Sequence, residues 1–354
     1  MNLKRKKQNL LLLLGLLMAV LSSNAQNLTL PRSSQYVEIT QRVGISDITI
    51  TYHSPGANGR KIWGGLVPYG QIWRAGANEN TTIAFSHDAR VEGVEIKAGT
   101  YGLYMLPKDE NNVRLLLSNY SKSWGTVAPA ESDLALLVDV STKENTHKEW
   151  LSYDFVDRVG NNVTAVLCWE TKQVPFKIEF DVPNIVLENI RAELKGPAGF
   201  SWRGYSQAAQ YCVQNNINLE EAMTWIDQSI NMSKGFTNLS VKSQLLAING
   251  NIEEAKKVMQ EAIPTANAFQ LNQYGYQVLN AGNTKEAIDI FKMNVDKNPN
   301  HQFIWGFTDS LGEAYLKDGN KKLALKYYRK AKELAPENQY AYLDGVIASI
   351  ESTN

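Results

Sequence analysis

Leu311-Gly312-Glu313-Ala314-Tyr315, followed by Gly319, Ala324, Tyr328, Ala331 and Pro336, is the stretch that decides the fold. Small residues recur where two helices must touch, and large apolar ones recur where they fill the gap. A proline closes the unit, because it has no N–H with which to continue a helix. The spacing returns upstream: Ala222, Ala255, Ala287 and Ala324 are 33, 32 and 37 residues apart. Each follows a turn of Asn/Gly type, at Asn216-Ile217-Asn218, Gly250-Asn251, Gly282-Asn283 and Gly319-Asn320. A helix–turn–helix unit cannot bury its apolar face alone, so the copies must stack.

This period resembles the tetratricopeptide repeat, a helix hairpin of about 34 residues. The copy before the last keeps Gly275, Ala287, Phe291 and Pro299, with Tyr274 in the leucine place. Earlier copies are degenerate: Ala255 and Ala262 hold, but Lys242 and Ser243 stand where leucine and glycine belong. Four repeats are expected over 201–338, with Trp202 to Val213 as the first helix, and a capping helix and tail over 339–354. Trp225 falls on a second helix and reads as packing. Asn272, Gln273 and Gln277 fall on a first helix and are predicted to line a peptide-binding groove.

Upstream the period is two. Ile48-Thr49-Ile50-Thr51-Tyr52, Thr82-Ile83-Ala84-Phe85-Ser86 and Phe176-Lys177-Ile178-Glu179-Phe180 alternate apolar and polar residues. Further strands are expected at Val113–Leu117, Leu134–Val140, Leu151–Phe155 and Val163–Trp169. Short strands with frequent turn signals and no amphipathic helix between them predict an antiparallel β-sandwich or barrel-like domain over 30–183. A linker with a short helix at Ile185–Leu194 fills 184–200. The fold class is therefore multidomain, β then α, with a tetratricopeptide-type α-solenoid second.

One segment breaks the strand rhythm, from His53 to Asn80. It is rich in glycine and aromatic residues, and loops of this length in compact domains are usually functional or disordered. Its tryptophans argue against disorder. Gly59-Arg60-Lys61-Ile62-Trp63-Gly64-Gly65-Leu66-Val67-Pro68-Tyr69-Gly70, then Trp73-Arg74-Ala75-Gly76-Ala77-Asn78-Glu79, resemble the hallmark of a secreted bacterial family catalogued as domain of unknown function 2911. Gly93 to Leu106 and Trp124-Gly125 are similar to its pattern as well. The resemblance covers roughly 30–183; it implies a secreted β domain, often followed by tetratricopeptide-like repeats, and no established activity.

Two accounts of this loop stay open. In one, Arg60 and Arg74 grip a carboxylate or phosphate, Trp63 and Trp73 stack on a sugar or ring, and Asn78 and Glu79 orient the ligand. In the other, Arg60 pairs with an acid such as Glu79 and the tryptophans plug the end of the sandwich. His53 and His87 at strand ends could meet near Glu79 or Asp88, but no pair has metal-ligand spacing. No metal and no cofactor is predicted. Ser54 and Ser86 lie outside a Gly-x-Ser-x-Gly turn, and the glycines spell no phosphate loop.

Residues 1–25 read as a secretory signal: a basic cluster at Lys4–Lys7, an apolar run from Leu10 to Leu21, and Ser23-Asn24-Ala25 before a cut near Ala25. The run is shorter than the ~20 residues of a spanning helix. The chain has 36 basic and 36 acidic residues; losing the leader's four basic ones leaves 32 against 36, net −4. That balance argues against nucleic acid, which demands a basic stripe. Cys168 and Cys212 sit in apolar runs and read as small buried hydrophobes. The expected protein is a periplasmic or extracellular binding or scaffold protein, its repeats holding a peptide or protein and its 53–80 loop binding a small anionic or glycan-like ligand. The alternative is a cell-envelope hydrolase with His53 and Glu79 as acid and base.

Overall fold

The computed structural model describes residues 30–124 and 127–352; the leader expected over 1–25 lies outside the described residues. The chain divides into two compact units between Ile185 and Val186.

The first unit is antiparallel β throughout its ladders. One sheet holds six strands in the order β1 (Gln35–Val43), β2 (Ser46–Ser54), β3 (Thr82–Phe85), β6 (Gly99–Pro107), β7 (Asn112–Ser118) and β8 (Leu134–Ser141). The other holds four, in the order β5 (Val94–Ile96), β4 (Ala89–Val91), β10 (Asn162–Phe180) and β9 (Lys143–Val159). Strand β2 shows why the pairing holds its register. Ile48, Ile50 and Tyr52 are buried while Thr49, Thr51 and His53 alternate with them on the other face, so a one-residue slip would expose the whole apolar set. Ile48, Ile50, Ile83, Leu103 and Leu115 from the first sheet share one core with Val91, Leu167, Trp169, Phe176 and Ile178 from the second. Each such buried side chain contributes about 1.5–3 kcal/mol.

The strand pattern adds β1 and β4 to the expected strands, lengthens Leu151–Phe155 into the 17-residue β9, and joins two expected strands into one. Val163–Trp169 and Phe176–Phe180 are parts of a single 19-residue strand, β10. Shifts in its register against β9 fall at Cys168/Glu170 and Glu170/Lys172, and Glu170 has φ +52°. An irregularity of this kind bends a strand and breaks its alternation without ending it, so the sequence shows two periodic runs where the chain makes one strand.

Helix α1 (Val182–Glu193) follows. In the second unit, four helix hairpins are built by α2 (Trp202–Asn215) with α3 (Leu219–Met232), α4 (Phe236–Ile248) with α5 (Ile252–Ala262), α6 (Ala268–Asn280) with α7 (Thr284–Lys297), and α8 (Ile304–Lys317) with α9 (Lys321–Leu334); α10 (Tyr340–Ser352) packs on α9. Inside each of the last two hairpins a glycine faces an aromatic ring. A Cβ on Gly275 would sit 2.6 Å from Phe291 Cε1, and one on Gly312 3.2 Å from Tyr328 Cδ2. Gly250, Gly282 and Gly319, with φ from +79° to +88°, end the first helices of their hairpins in the left-handed conformation. Asn216 serves the same end in the first hairpin at φ +51°.

The degenerate second hairpin is held by polar replacements. Ser243, in the glycine place, is 7% exposed and donates through Oγ to the Ala255 carbonyl at 2.8 Å. Lys242, in the leucine place, pairs with Asp227 of the preceding hairpin at 2.7 Å. Both cysteines are free, and burial pushes the Cys212 thiol up to about 11.

Candidate functional site

The 53–80 loop joins β2 to β3 and is pinned to the sheets along its length. The Ala57 N–H donates to Glu149 O on β9, and Trp73 and Met105 exchange backbone bonds at 2.8 Å. Ala75, fully buried at φ +53°, offers its carbonyl to the Tyr153 hydroxyl at 2.9 Å and the Thr81 hydroxyl at 3.2 Å. Non-glycine residues adopt that conformation only where their surroundings hold them, and these two hydroxyls do so. A Cβ on Gly76 would strike Thr81 Oγ1. The Ala75-Gly76 pair is therefore a fixed corner, which presents the next residues, Asn78 and Glu79, beside His53 at the end of β2.

The residues singled out in the loop divide into two sets. Trp63, 4% exposed, donates its indole N–H to Trp169 O at 3.1 Å and meets Trp73 edge-on at 6.1 Å. Trp73 stacks on Trp169 at 5.7 Å and donates to Gly76 O. Arg60 turns back on its own loop and donates to the carbonyls of Ala57 and Gly56, rather than pairing with Glu79. These three groups tie the loop down, and neither face of Trp63 is open to a ligand ring.

The second set converges. His53 Nε2 lies 3.4 Å from Glu79 Oε2, and Arg32 Nη1 lies 2.5–2.6 Å from both Glu79 oxygens. Asn78 Nδ2 donates to Ser34 O at 3.3 Å. The Arg32 guanidinium holds the Glu79 carboxyl below its ordinary value. Burial pulls the His53 imidazole down; Glu79 opposes that shift, while the charges of Arg32 and Arg74 add to it. Arg74 is half-buried, and desolvation lowers its guanidinium. Behind this set, Asn80 is 8% exposed with neither side-chain polar atom bonded, and the Tyr104 hydroxyl is likewise sealed and unbonded. Buried polar atoms without partners are uncommon in native folds. His87 does not join. Thr51 pairs with Thr82 and Ile48 with Phe85, so the antiparallel register carries His53 to one end of the β2–β3 ladder and His87 to the other; His87 bonds Ser86 Oγ instead. Among the described residues no three His, Cys, Asp or Glu side chains are grouped to hold a metal ion.

In the second unit the first helices of successive hairpins lie beside one another. Gln270 of α6 bonds Thr237 of α4, Phe236 meets Tyr274, and Phe269 of α6 packs edge-on against Phe303 and Phe307 beside and on α8. Gln273 and Gln277 are exposed on α6, and Asn272 is half-buried with Oδ1 sealed and unbonded. Sequence reasoning missed the acidic neighbours of this row, Asp309 and Glu313 on α8. Their signal was an acid pair four residues apart on an otherwise apolar first helix, where i and i+4 share a face. The Tyr276 hydroxyl donates to Glu313 Oε2 at 2.8 Å. Asp309 has Oδ1 sealed and unbonded, and burial reinforced by Glu313 raises its carboxyl to about 6.

These features define an antiparallel two-sheet β domain followed by an α-solenoid of helix hairpins. Residues 34–178 match the family model described as protein of unknown function (DUF2911), and residues 310–338 match the tetratricopeptide repeat. The chain thus carries a match to the DUF2911 model followed, nearer its C-terminus, by a match to one tetratricopeptide repeat. Solved structures similar to the chain include Pseudomonas aeruginosa pilF, at 15% identity over 44% of this chain and 69% of that one, TM-score 0.32. Another is YrrB, described as a TPR protein with an unusual peptide-binding site, at 18% identity over 45% of this chain and 81% of that one, TM-score 0.29. A third is a thermophilic TPR protein of Thermus thermophilus, at 19% identity over 48% of this chain and 90% of that one, TM-score 0.31. No curated protein matches the chain. No helix among the described residues is long and apolar enough to cross a membrane.

Proposed function

We propose that the protein is an exported scaffold that holds a protein or peptide segment along its first helices. One observation carries this reading: α4, α6 and α8 touch through their first-helix side chains, while Gln273 and Gln277 remain exposed on the same row. Repeat units use such a continuous surface for binding. The basic cluster, apolar run and Ser23-Asn24-Ala25 support export with cleavage near Ala25. For the β domain, support for a small anionic or glycan-like ligand narrows to Arg74, Asn78 and the His53–Glu79 pair, since Arg60, Trp63 and Trp73 fasten the loop. The hydrolase alternative is weaker. A carboxylate held ionised by Arg32 is a poor proton donor and a weak base.

A photo-crosslinking amino acid at Gln277, in the full chain, tests the scaffold reading against peptides selected from a random display library. Crosslinks at Gln277 and none from the same group at Lys330, on a second helix, are expected. Equal crosslinking at both positions, or none at either, would refute it.

A further inference from the structure

The first helices carry a feature that a general peptide groove does not require. Asp309 and Glu313 stand one turn apart on α8, a like-charge spacing that weakens an isolated helix. Glu313 has the Tyr276 hydroxyl as a donor, whereas Asp309 Oδ1 is sealed from solvent with no donor. Contacts of Phe269 with Phe303 and Phe307, and of Tyr276 with Ser310 and Glu313, set the register of α6 on α8. That register brings Asn272 level with Gly306–Asp309, and Asn272 Oδ1 is a second sealed acceptor without a donor. Tyr328, on α9, is 3% exposed; its hydroxyl feels both carboxylates and makes no hydrogen bond among the described residues. Tyr342 of α10 feels the same two charges and is 53% exposed. A Cβ on Gly306, one turn before Asp309, would meet nothing.

Two carboxylates beside tyrosine hydroxyls, with acceptors in surplus over donors, match a cation that brings N–H groups. We propose that Asp309 and Glu313, beside the hydroxyls of Tyr328 and Tyr342, form a subsite for a lysine or arginine side chain of a segment bound along the first helices. This rests on the scaffold reading and specifies its ligand. The N–H donors meet the exposed Glu313 carboxylate and the half-buried Asp309 carboxyl, and charge-assisted bonds of this kind are the stronger ones. The Tyr342 ring, 53% exposed, adds attraction for a cation. Two carboxylates do not make a metal site, and no third ligand joins them among the described residues. The groups facing Asp309 are Glu313 on its own helix, Tyr276 on α6, Tyr328 on α9 and Tyr342 on α10. Burial and Glu313 raise the Asp309 carboxyl to about 6, so binding strengthens as pH rises through the Asp309 transition.

The test uses the full chain and fluorescein-labelled dodecapeptides of alternating Lys–Gly, acetyl-Lys–Gly and Glu–Gly, read by anisotropy at low salt. The Lys–Gly peptide binds at least tenfold more tightly than the other two. Asp309→Asn lowers that affinity at least tenfold. Glu333→Gln, which removes an equal charge from an exposed site on α9, leaves it unchanged. Equal binding of the three peptides, or an equal loss with Glu333→Gln, overturns the subsite. Display-selected peptides that crosslink at Gln277 but lack basic residues overturn the subsite and leave the scaffold standing. An absence of any selected binder overturns both.

Discussion

The Tyr276 hydroxyl on α6 donates a 2.8 Å hydrogen bond to Glu313 Oε2 on α8, while Asp309, one turn away, has no donor for its sealed oxygen. The bond ties two neighbouring first helices together and settles one of the two charges. The other charge is left for burial and the neighbouring carboxylate to raise, and its carboxyl moves up to about 6.

That imbalance costs stability, and the sign is definite. Between the ordinary Asp value of about 4 and its folded value near 6, the folded state binds more protons than the unfolded one, so stability falls as pH rises. The cost is complete above pH 6. One unit is worth ~1.4 kcal/mol, and residual solvent screening reduces the two-unit shift to about 1–2 kcal/mol. Asp309→Asn therefore raises the melting temperature at pH 7.5 by about 2–8 °C, from ~2–4 °C per kcal/mol, and the gain vanishes at pH 4. Calorimetry of the two proteins at both pH values checks it. A variant less stable than the parent at pH 7.5 would show that the carboxylate has a structural partner.

The glycines inside the hairpins separate by contact distance. Gly275→Ala sets a methyl 2.6 Å from Phe291, which is fully buried and has nowhere to move. Overpacking of this kind costs about 1–3 kcal/mol. Gly312→Ala meets Tyr328 at 3.2 Å, and a shift of a few tenths of an ångström relieves it; the helix preference for alanine, worth about 1 kcal/mol, offsets much of the rest. Urea titration should rank the variants with Gly275→Ala clearly the weaker. The reverse order would contradict the packing described.

How much of this was legible in the sequence depends on where the information lies. Gly312 against Tyr328 and Gly275 against Phe291 repeat at fixed spacing, so the hairpins could be read from one dimension. Ser243 could be seen to break the pattern, but its bond to the Ala255 carbonyl could not. The continuity of β10 was hidden because the irregularity around Glu170 disrupts alternation. In the loop, the residue types of a pocket were visible, whereas the turn of Arg60 onto the carbonyls of Gly56 and Ala57 depends on local backbone geometry. The Tyr276–Glu313 contact spans 37 residues, and only the stacking of hairpins brings the two together.

Trp63 is part of the core, and its removal should be felt there. Trp63→Ala deletes a side chain 4% exposed, together with the indole donor to Trp169 O. Truncations of buried aromatics cost about 3–5 kcal/mol. Near-ultraviolet circular dichroism across a denaturant series reads the loss. A variant that keeps full stability would return Trp63 to the surface and to ligand binding.

The His53 imidazole titrates below the ordinary value of about 6.5, because burial outweighs the attraction of Glu79. Glu79→Gln removes the opposing influence and should move it lower still. A histidine with a depressed folded value contributes a loss of stability as pH falls through its unfolded value. Two-dimensional NMR of the imidazole resonances follows the titration. A His53 transition at or above 6.5, or one indifferent to Glu79→Gln, would disprove the arrangement at the end of β2.

The most direct test is hydrogen exchange on the full chain, with and without a peptide selected from a random display library. Slowed exchange in Ala268–Asn280 and Ile304–Lys317, with the second helices and the 55–81 loop unchanged, is the predicted footprint. Protection confined to that loop or to the second helices would contradict a partner held along the first helices.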